Sequence, residues 1–315
     1  MEYRRLGSST LKVSPVGLGT WAIGADFWGA IDDNESISAI QAGIDAGINF
    51  IDTAPAYGAG HSEEVVGKAI RGRRSQVIIA TKLGIIRTAD DFIKNLRPES
   101  VRKEIDDSLG RLGVDTIDLW QVHWPDPNTP LEDTLGELSR IKESGKFRYL
   151  GVSNFDTALM ERARRVMEVV SLQPHYSLLE RTIEAEILPY CISHDVGVVG
   201  YGTLAAGLLT GKFKEIPTFE KGDQRADFYD FFKEPYFSRV QKFLASVSDI
   251  AKELDKSVAQ VVINWTFSRK GVTTALVGAR TPAQAKQNAA AGSFTLNQEH
   301  FDRIARAWTE AGLKR

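Results

Sequence analysis

Eight short apolar runs, each followed by a longer stretch with one apolar face, constrain this chain more than any other feature. The runs are VGLGT (16–20), INFIDTA (48–54), VIIATK (77–82), TIDLWQVH (116–123), FRYLGVS (147–153), VVSLQP (169–174), VGVVGYG (196–202) and TALVGA (274–279). Most are continuous in Val, Ile and Leu, as expected of parallel strands covered on both faces by helices. The stretches between them carry helical stripes: Ile37, Ile40 and Ile44; Val101, Ile105, Leu109 and Leu112; Leu131, Leu135, Leu138 and Ile141. Pro98 and Pro130 stand where first turns begin, and Gly47, Gly113, Gly145 and Gly271 where helices stop. The unit is a strand followed by a helix, repeated.

Such units close into a barrel or spread into an open doubly wound sheet, and periodicity alone does not choose. The open dinucleotide-binding sheet carries G-x-G-x-x-G after an early strand, a spacing that GLGTWAIG (17–24) lacks. Instead the successive runs end on Thr20, Asp52, Lys82, His123, Ser153 with Asn154, Gln173, Tyr201, and Gly278 with Arg280. Barrels collect their functional groups at such C-terminal strand ends. The sequence therefore predicts a single (β/α)8 TIM barrel domain over residues 1–315, for which 43% apolar residues supply an ample core. YRRLGSSTLKVS, ahead of the first run, reads as a hairpin that plugs the opposite end. The stretch from Tyr201 to Gly278 is too long for one loop and one helix. We expect a loop over about 210–235, extra helices near 236–254 and 257–269, and a closing helix near 297–312.

In that barrel Asp52, Tyr57, Lys82 and His123 converge at one mouth as a proton-transfer set. An isolated Tyr, with a pKa of about 10, is a sluggish donor at neutral pH. An ammonium at Lys82 is expected to lower the Tyr57 pKa, Asp52 to keep Lys82 charged, and His123 to donate to a substrate oxygen. No side chain supplies a hydride, so the set implies a nicotinamide cofactor. Taken singly, each residue has a plainer reading: Asp52 as a turn cap, Lys82 as a rim ion pair, Tyr57 as a loop anchor and His123 as packing beside Trp124.

Together with GLGTW (17–21), DTAPAYGAGHSEEVVGKAI (52–70), TK (81–82), DLWQVHWPD (118–126), GVSNF (151–155), QPHYSLLER (173–181) and GLLTGKF (207–213), these residues give a chain that resembles the aldo-keto reductase family from residue 3 to residue 310. Within the family it resembles the bacterial NADPH-dependent aldehyde and carbonyl reductase type. The resemblance implies hydride transfer between NADP(H) and a small aldehyde or ketone, with Tyr57 as general acid supported by Asp52, Lys82 and His123. It places Thr20, Trp21 and Asp52 near the nicotinamide, Ser153, Asn154 and Gln173 on its carboxamide, and Tyr201 against its ring. It assigns the pyrophosphate to Gly202, Thr203, Leu204, Ala205, Ala206, Lys212 and Arg225, the last on a loop that covers the cofactor. Gly278, Ala279, Arg280, Gln284 and Asn288 take the adenosine end, where Arg280 favours NADPH over NADH. Trp21, Tyr57, His123 and Trp124, with Phe27 and Trp28, suggest an aromatic pocket for small substrates that are not strongly charged; Phe228, Tyr229, Phe231 and Phe232 receive no role.

Two other functions fit parts of this pattern. One is a nucleotide-binding regulatory subunit of the same fold with slow turnover; the other is an unrelated barrel enzyme using Lys82 as a Schiff-base amine, which Asp52 disfavours by keeping Lys82 charged. A net charge of -2 gives no footprint for nucleic acid or a membrane surface, and no apolar stretch reaches the roughly 20 residues of a membrane span. A single cysteine, Cys191, and the absence of an export signal in MEYRRLGSST point to the cytoplasm. The His residues lack metal-binding spacing, and no metal is expected.

Overall fold

The computed structural model describes the chain apart from residues 25–28, 30, 89–90, 220–222, 224, 226–228 and 314–315. Phe27, Trp28 and Phe228 therefore lie outside the described residues. Among the described residues, eight parallel strands close into a barrel: β3 (Val16–Gly19), β4 (Phe50–Asp52), β5 (Ile78–Leu83), β8 (Ile117–Val122), β9 (Phe147–Ser153), β10 (Val169–Gln173), β11 (Gly197–Gly200) and β12 (Val272–Gly278). β12 pairs with β3 and shuts the ring. Each expected run holds one of these strands, with ends displaced by a few residues. INFIDTA, for instance, contributes only Phe50–Asp52 as strand, although the Thr53 amide continues the pairing to the Ala80 carbonyl.

The helices follow the stripes. Ile40 and Ile44 bury one face of the helix Asp33–Asp45; Val101, Ile105 and Leu112 do so for Pro98–Leu112, which stops at Gly113 in the left-handed conformation. Beyond the barrel strand β11 lie the helices Tyr236–Glu253 and Val258–Ser268, and the chain closes on Gln298–Glu310. No helix among the described residues is long and apolar enough to cross a membrane.

The N-terminal hairpin forms from β1 (Arg4–Arg5) and β2 (Lys12–Val13). Its Leu6, Leu11 and Val13 pack inside the barrel with Phe50, Ala80, Leu119, Val170, Val199 and Leu276. Gly7 lies against the Val170 carbonyl and the Gly197 amide, at the N-terminal ends of β10 and β11, so the hairpin closes the end opposite the polar rim. Side chains alternate along a strand. Two residues beyond this apolar floor, on the same inward face, stand Asp52 above Phe50, Lys82 above Ala80, Gln121 above Leu119 and Tyr201 above Val199.

One element has no counterpart in the expectations. Directly after β5 a second hairpin, β6 (Ile85–Arg87) with β7 (Phe92–Lys94), stands at the mouth. Its three-residue strands are too short for a period to register, and β7 is exposed throughout.

Candidate active site

Three strand ends and one turn bring Asp52, Lys82, His123 and Tyr57 together. The turn is held by the Tyr57 amide on the Ala54 carbonyl and by close approach of the segment Trp21–Gly24, where a Cβ on Gly24 would come within 2.8 Å of Tyr57 backbone. Lys82 is fully buried, and its ammonium donates to Asp52 Oδ1 at 2.5 Å, the Thr53 carbonyl at 3.0 Å and the Tyr57 hydroxyl at 3.1 Å. An ammonium has three protons, and all are used here. The other carboxylate oxygen of Asp52 accepts from Gln173 Nε2 at 2.8 Å and Gln121 Nε2 at 3.0 Å. Tyr57 meets His123 edge-on, ring centres 5.9 Å apart, and faces Trp21 at 6.3 Å.

The hydrogen-bond directions decide what this group can do. Lys82 only donates, so the Tyr57 oxygen is the acceptor in their bond, and the phenol proton must point elsewhere. Among the described residues the Tyr57 hydroxyl has no other partner. The proton is left for a group that enters the mouth.

Electrostatics support the protonation states but correct one expectation. Burial alone would lower the Lys82 pKa; Asp52 and Tyr57 outweigh it and raise it, so the ammonium persists. The His123 pKa is pushed well below its ordinary value, first by burial and then by Lys82, leaving a neutral imidazole. The Tyr57 pKa was expected to fall under the influence of Lys82, yet it rises. Burial is the largest cause, and Asp52 acts against the lowering by Lys82. Tyr57 is therefore a protonated phenol through the neutral range.

Around this core the structure gathers most of the expected cofactor residues. Thr20 Oγ donates to the Asp52 carbonyl and accepts from Ser62. Ser153 Oγ donates to the Gln173 carbonyl, Asn154 Nδ2 to the His123 carbonyl, and the Tyr201 hydroxyl to Asn154 Oδ1. Residues 202–207 carry an irregular backbone: Gly202, Ala205, Ala206 and Gly207 all have positive φ. Thr203, beside them, holds a buried hydroxyl without a hydrogen-bond partner among the described residues, and Leu204 packs against the core. Arg225 donates to the Ala206 carbonyl and pairs with Asp223. Burial first, then Arg225 and Arg280, lower the Lys212 pKa, so three cations share one region. Asn288 Nδ2 holds the Gly278 carbonyl and Gln284 Oε1 the Arg280 amide, fixing the Gly278–Ala279–Arg280 turn. Trp124 is exposed at the mouth. Phe231 and Phe232 are buried in the main hydrophobic core; Phe232 packs edge-on against Phe213 and Phe219, Phe231 lies against Phe232, and Tyr229 stacks on Phe231.

Sequence reading missed Gln121, a second hand on Asp52, and His175, whose ring lies parallel to Tyr201 at 5.0 Å. Inward alternation along TIDLWQVH was the signal for Gln121.

The Aldo/keto reductase family model matches residues 15–309. The chain belongs to the aldo/keto reductase family. Aldo-keto reductase YhdN of Bacillus subtilis (strain 168) is 41% identical to it, over 95% of this chain and 91% of that protein. The NADH-specific methylglyoxal reductase of Escherichia coli (strain K12) is 34% identical, over 93% and 94% respectively. The solved glycerol dehydrogenase AKR11B4 of Gluconobacter oxydans superposes with a TM-score of 0.92 at 38% identity, covering 100% of this aldo/keto reductase and 97% of that chain. Family membership makes this barrel an oxidoreductase that works with a nicotinamide cofactor.

Proposed function

We propose that this reductase, folded as one domain, transfers a hydride from NADPH to the carbonyl of a small aldehyde or ketone, or runs the reverse alcohol oxidation, with Tyr57 as the proton donor. The observation that carries the proposal is the Tyr57 phenol, which accepts from the Lys82 ammonium and so presents its own proton to the mouth.

The residues fit a phosphate-bearing cofactor. Lys212, Arg225 and Arg280 gather positive charge beside the glycine-bearing 202–207 segment, and the unpartnered Thr203 hydroxyl is buried there. Lys212 and Arg225 would hold the pyrophosphate and Arg280 a 2'-phosphate, with Ser153, Asn154 and Gln173 at a carboxamide and Tyr201 against the ring. Gln173 gives its amide N–H bonds to Asp52 and Gln121, so its free group toward a carboxamide is the Oε1 acceptor. When bound, the cofactor supplies the hydride. Tyr57 and the neutral His123 orient the carbonyl oxygen by hydrogen bonding. As negative charge grows on that oxygen, Tyr57 releases its proton to it, and the Lys82 ammonium at 3.1 Å stabilises the phenolate left behind. Asp52, braced by Gln121 and Gln173, keeps that ammonium in place. Trp21 and Trp124 wall the substrate space, and the reaction requires neither a metal nor a nucleic-acid or membrane partner. We assign the protein to the cytoplasm.

The test is absorbance at 340 nm with NADPH and a panel of simple aldehydes, for wild type and Tyr57→Phe. Loss of roughly 100-fold or more in kcat, with NADPH affinity retained, is expected if Tyr57 is the general acid. Because the Escherichia coli relative is named for NADH, Arg280→Met decides the cofactor: NADPH affinity should fall by about tenfold or more while NADH affinity stays. Tight NADPH binding without turnover of any aldehyde would favour a regulatory subunit instead.

A further inference from the structure

The hairpin at residues 85–94 has no part in the proton-transfer set, yet it is rooted in it. Its first strand begins at Ile85, two residues after Leu83 and three after Lys82. At its base the Asn95 amide donates to the Gly84 carbonyl, the Gly84 amide to Glu104 Oε2, and the Leu96 amide to Asp126 Oδ2. Asp126 lies on the loop that follows His123, and the His123 amide itself donates to the Leu83 carbonyl. These bonds tie the hairpin and the His123–Trp124 loop into one wall.

The register decides which side chains line it. Ile86 opposes Ile93, while Ile85 opposes Lys94 and Arg87 opposes Phe92. Alternation puts Ile86 and Ile93 on one face and Ile85, Arg87, Phe92 and Lys94 on the other. The second face turns to the mouth, because Lys94 Nζ lies 5.0 Å from the centre of the Trp124 ring. On that same face the Arg87 guanidinium lies over Phe92 at 5.3 Å. Two described acidic groups nearby have partners of their own: Asp126 accepts from Thr129, Asn128 and Leu96, and Asp91 from the Phe92 amide. Lys94 makes no ion pair among the described residues. A cation is thus held on an aromatic plate next to His123, and among the described residues no anion pairs with it.

We propose that this hairpin sets substrate specificity, and that Lys94, seated on Trp124, selects carbonyl compounds carrying a carboxylate or phosphate beyond the reacting carbon. The inference rests on the reductase reading above and narrows its substrate class, away from the weakly charged compounds that the aromatic residues alone suggested. Lys94 is exposed, so the preference is modest: a solvent-exposed pair contributes at most about 1 kcal/mol, or roughly fivefold in kcat/KM.

The experiment compares 4-oxobutanoate with its methyl ester, using NADPH, for wild type, Lys94→Gln and Lys142→Gln. Lys142 lies over Tyr149, whose hydroxyl bonds Thr10 of the N-terminal hairpin, and so reports on general charge at the far end. The wild-type ratio of kcat/KM for acid over ester should exceed that of Lys94→Gln by roughly three- to fivefold at low salt, shrink in about 0.5 M salt, and stay unchanged in Lys142→Gln. An equal ratio in wild type and Lys94→Gln, or equal changes in both lysine variants, overturns the proposal. Calorimetric titration with succinate keeps the outcome independent of turnover. If neither aldehyde is consumed, the reductase reading fails; saturable succinate binding lost in Lys94→Gln would still sustain the Lys94 site, and absence of binding in wild type would end it.

Discussion

Asp52→Asn tests the charge logic of the site more sharply than removal of any reacting group. The Lys82 ammonium is fully buried, and Asp52 is the only carboxylate it bonds among the described residues. Asparagine is nearly isosteric but neutral, and it cannot satisfy both sides of the site. In the wild type one Asp52 oxygen accepts from Lys82 while the other accepts from Gln121 and Gln173. With Asn, one of these positions becomes an NH2 group facing donors. Breaking a buried pair by removing one partner costs about 3–5 kcal/mol. We expect the lower half of that range, because Lys82 keeps the Thr53 carbonyl and the Tyr57 oxygen. The loss has a pH signature. In the wild type the folded-state Lys82 pKa lies above its ordinary value, so its contribution to stability is complete below that value and disappears only at strongly alkaline pH. In the variant, burial acts without Asp52 to oppose it and the folded-state pKa falls below the unfolded one. Stability then rises as pH climbs from the depressed value towards about 10.4, by about 1.4 kcal/mol for each unit of depression. Urea unfolding followed by circular dichroism at pH 6 and pH 9.5 should give a gap between variant and wild type that narrows at the higher pH. The double variant Asp52→Asn, Lys82→Met should be less destabilised than the sum of the two single changes, since no lone charge remains buried. A gap under about 1 kcal/mol, a gap equal at both pH values, or strict additivity would refute the reasoning.

Other expectations concern the frame around the site. Burial raises the Glu104 pKa to about 7 from 4.5, so the unfolded chain releases this proton first and stability should fall as pH rises between those values. Glu104→Gln keeps an acceptor for the Gly84 amide and should remove up to about 3 kcal/mol of that pH dependence, checked by urea midpoints at pH 5 and pH 8. Gly7 has φ +51°, and a Cβ there would meet the Val170 carbonyl at 2.0 Å; Gly72 has φ +75° with nothing within 4 Å. Gly7→Ala should therefore destabilise by about 3 kcal/mol or more and Gly72→Ala by about 1 to 2, so that thermal denaturation of the two separates the cost of the clash from that of the dihedral.

The barrel was readable because both faces of its strands are buried. Runs such as VIIATK and VVSLQP need no alternation to be noticed, and the stripe Val101, Ile105, Leu112 marks its helix equally well. The hairpin at 85–94 fails on both counts. It has three residues per strand, one wet face, and cations lying on aromatic rings where a pattern search expects apolar residues. The loop beyond residue 210 was read as polar and then aromatic, and its aromatics were left without a role; Phe231 and Phe232 are buried in the main core, Phe232 against Phe213, and so pack the loop onto the body of the protein.

Within the site, residue types were legible and their balance was not. Strand ends named Asp52, Lys82 and His123; alternation along TIDLWQVH marks Gln121 as inward, but its role on Asp52 follows only from the register that sets Lys82 opposite it across β5 and β8. The same limit explains the reversed expectation for Tyr57. A sequence offers an ammonium near a phenol, and one attraction is easily given a sign. The sign in the fold depends on three competing quantities: burial of the phenol, the charge of Lys82, and the charge of Asp52 behind it. Because burial outweighs Lys82 and Asp52 opposes it as well, the pair does not drive Tyr57 towards phenolate at rest. Its effect is local, through one donated hydrogen bond at 3.1 Å, and it grows in value only as the proton departs. A Tyr already ionised at neutral pH would have no proton to give. Keeping Lys82 and Asp52 as a pair lets the site hold a reluctant acid at rest and still stabilise its conjugate base during transfer.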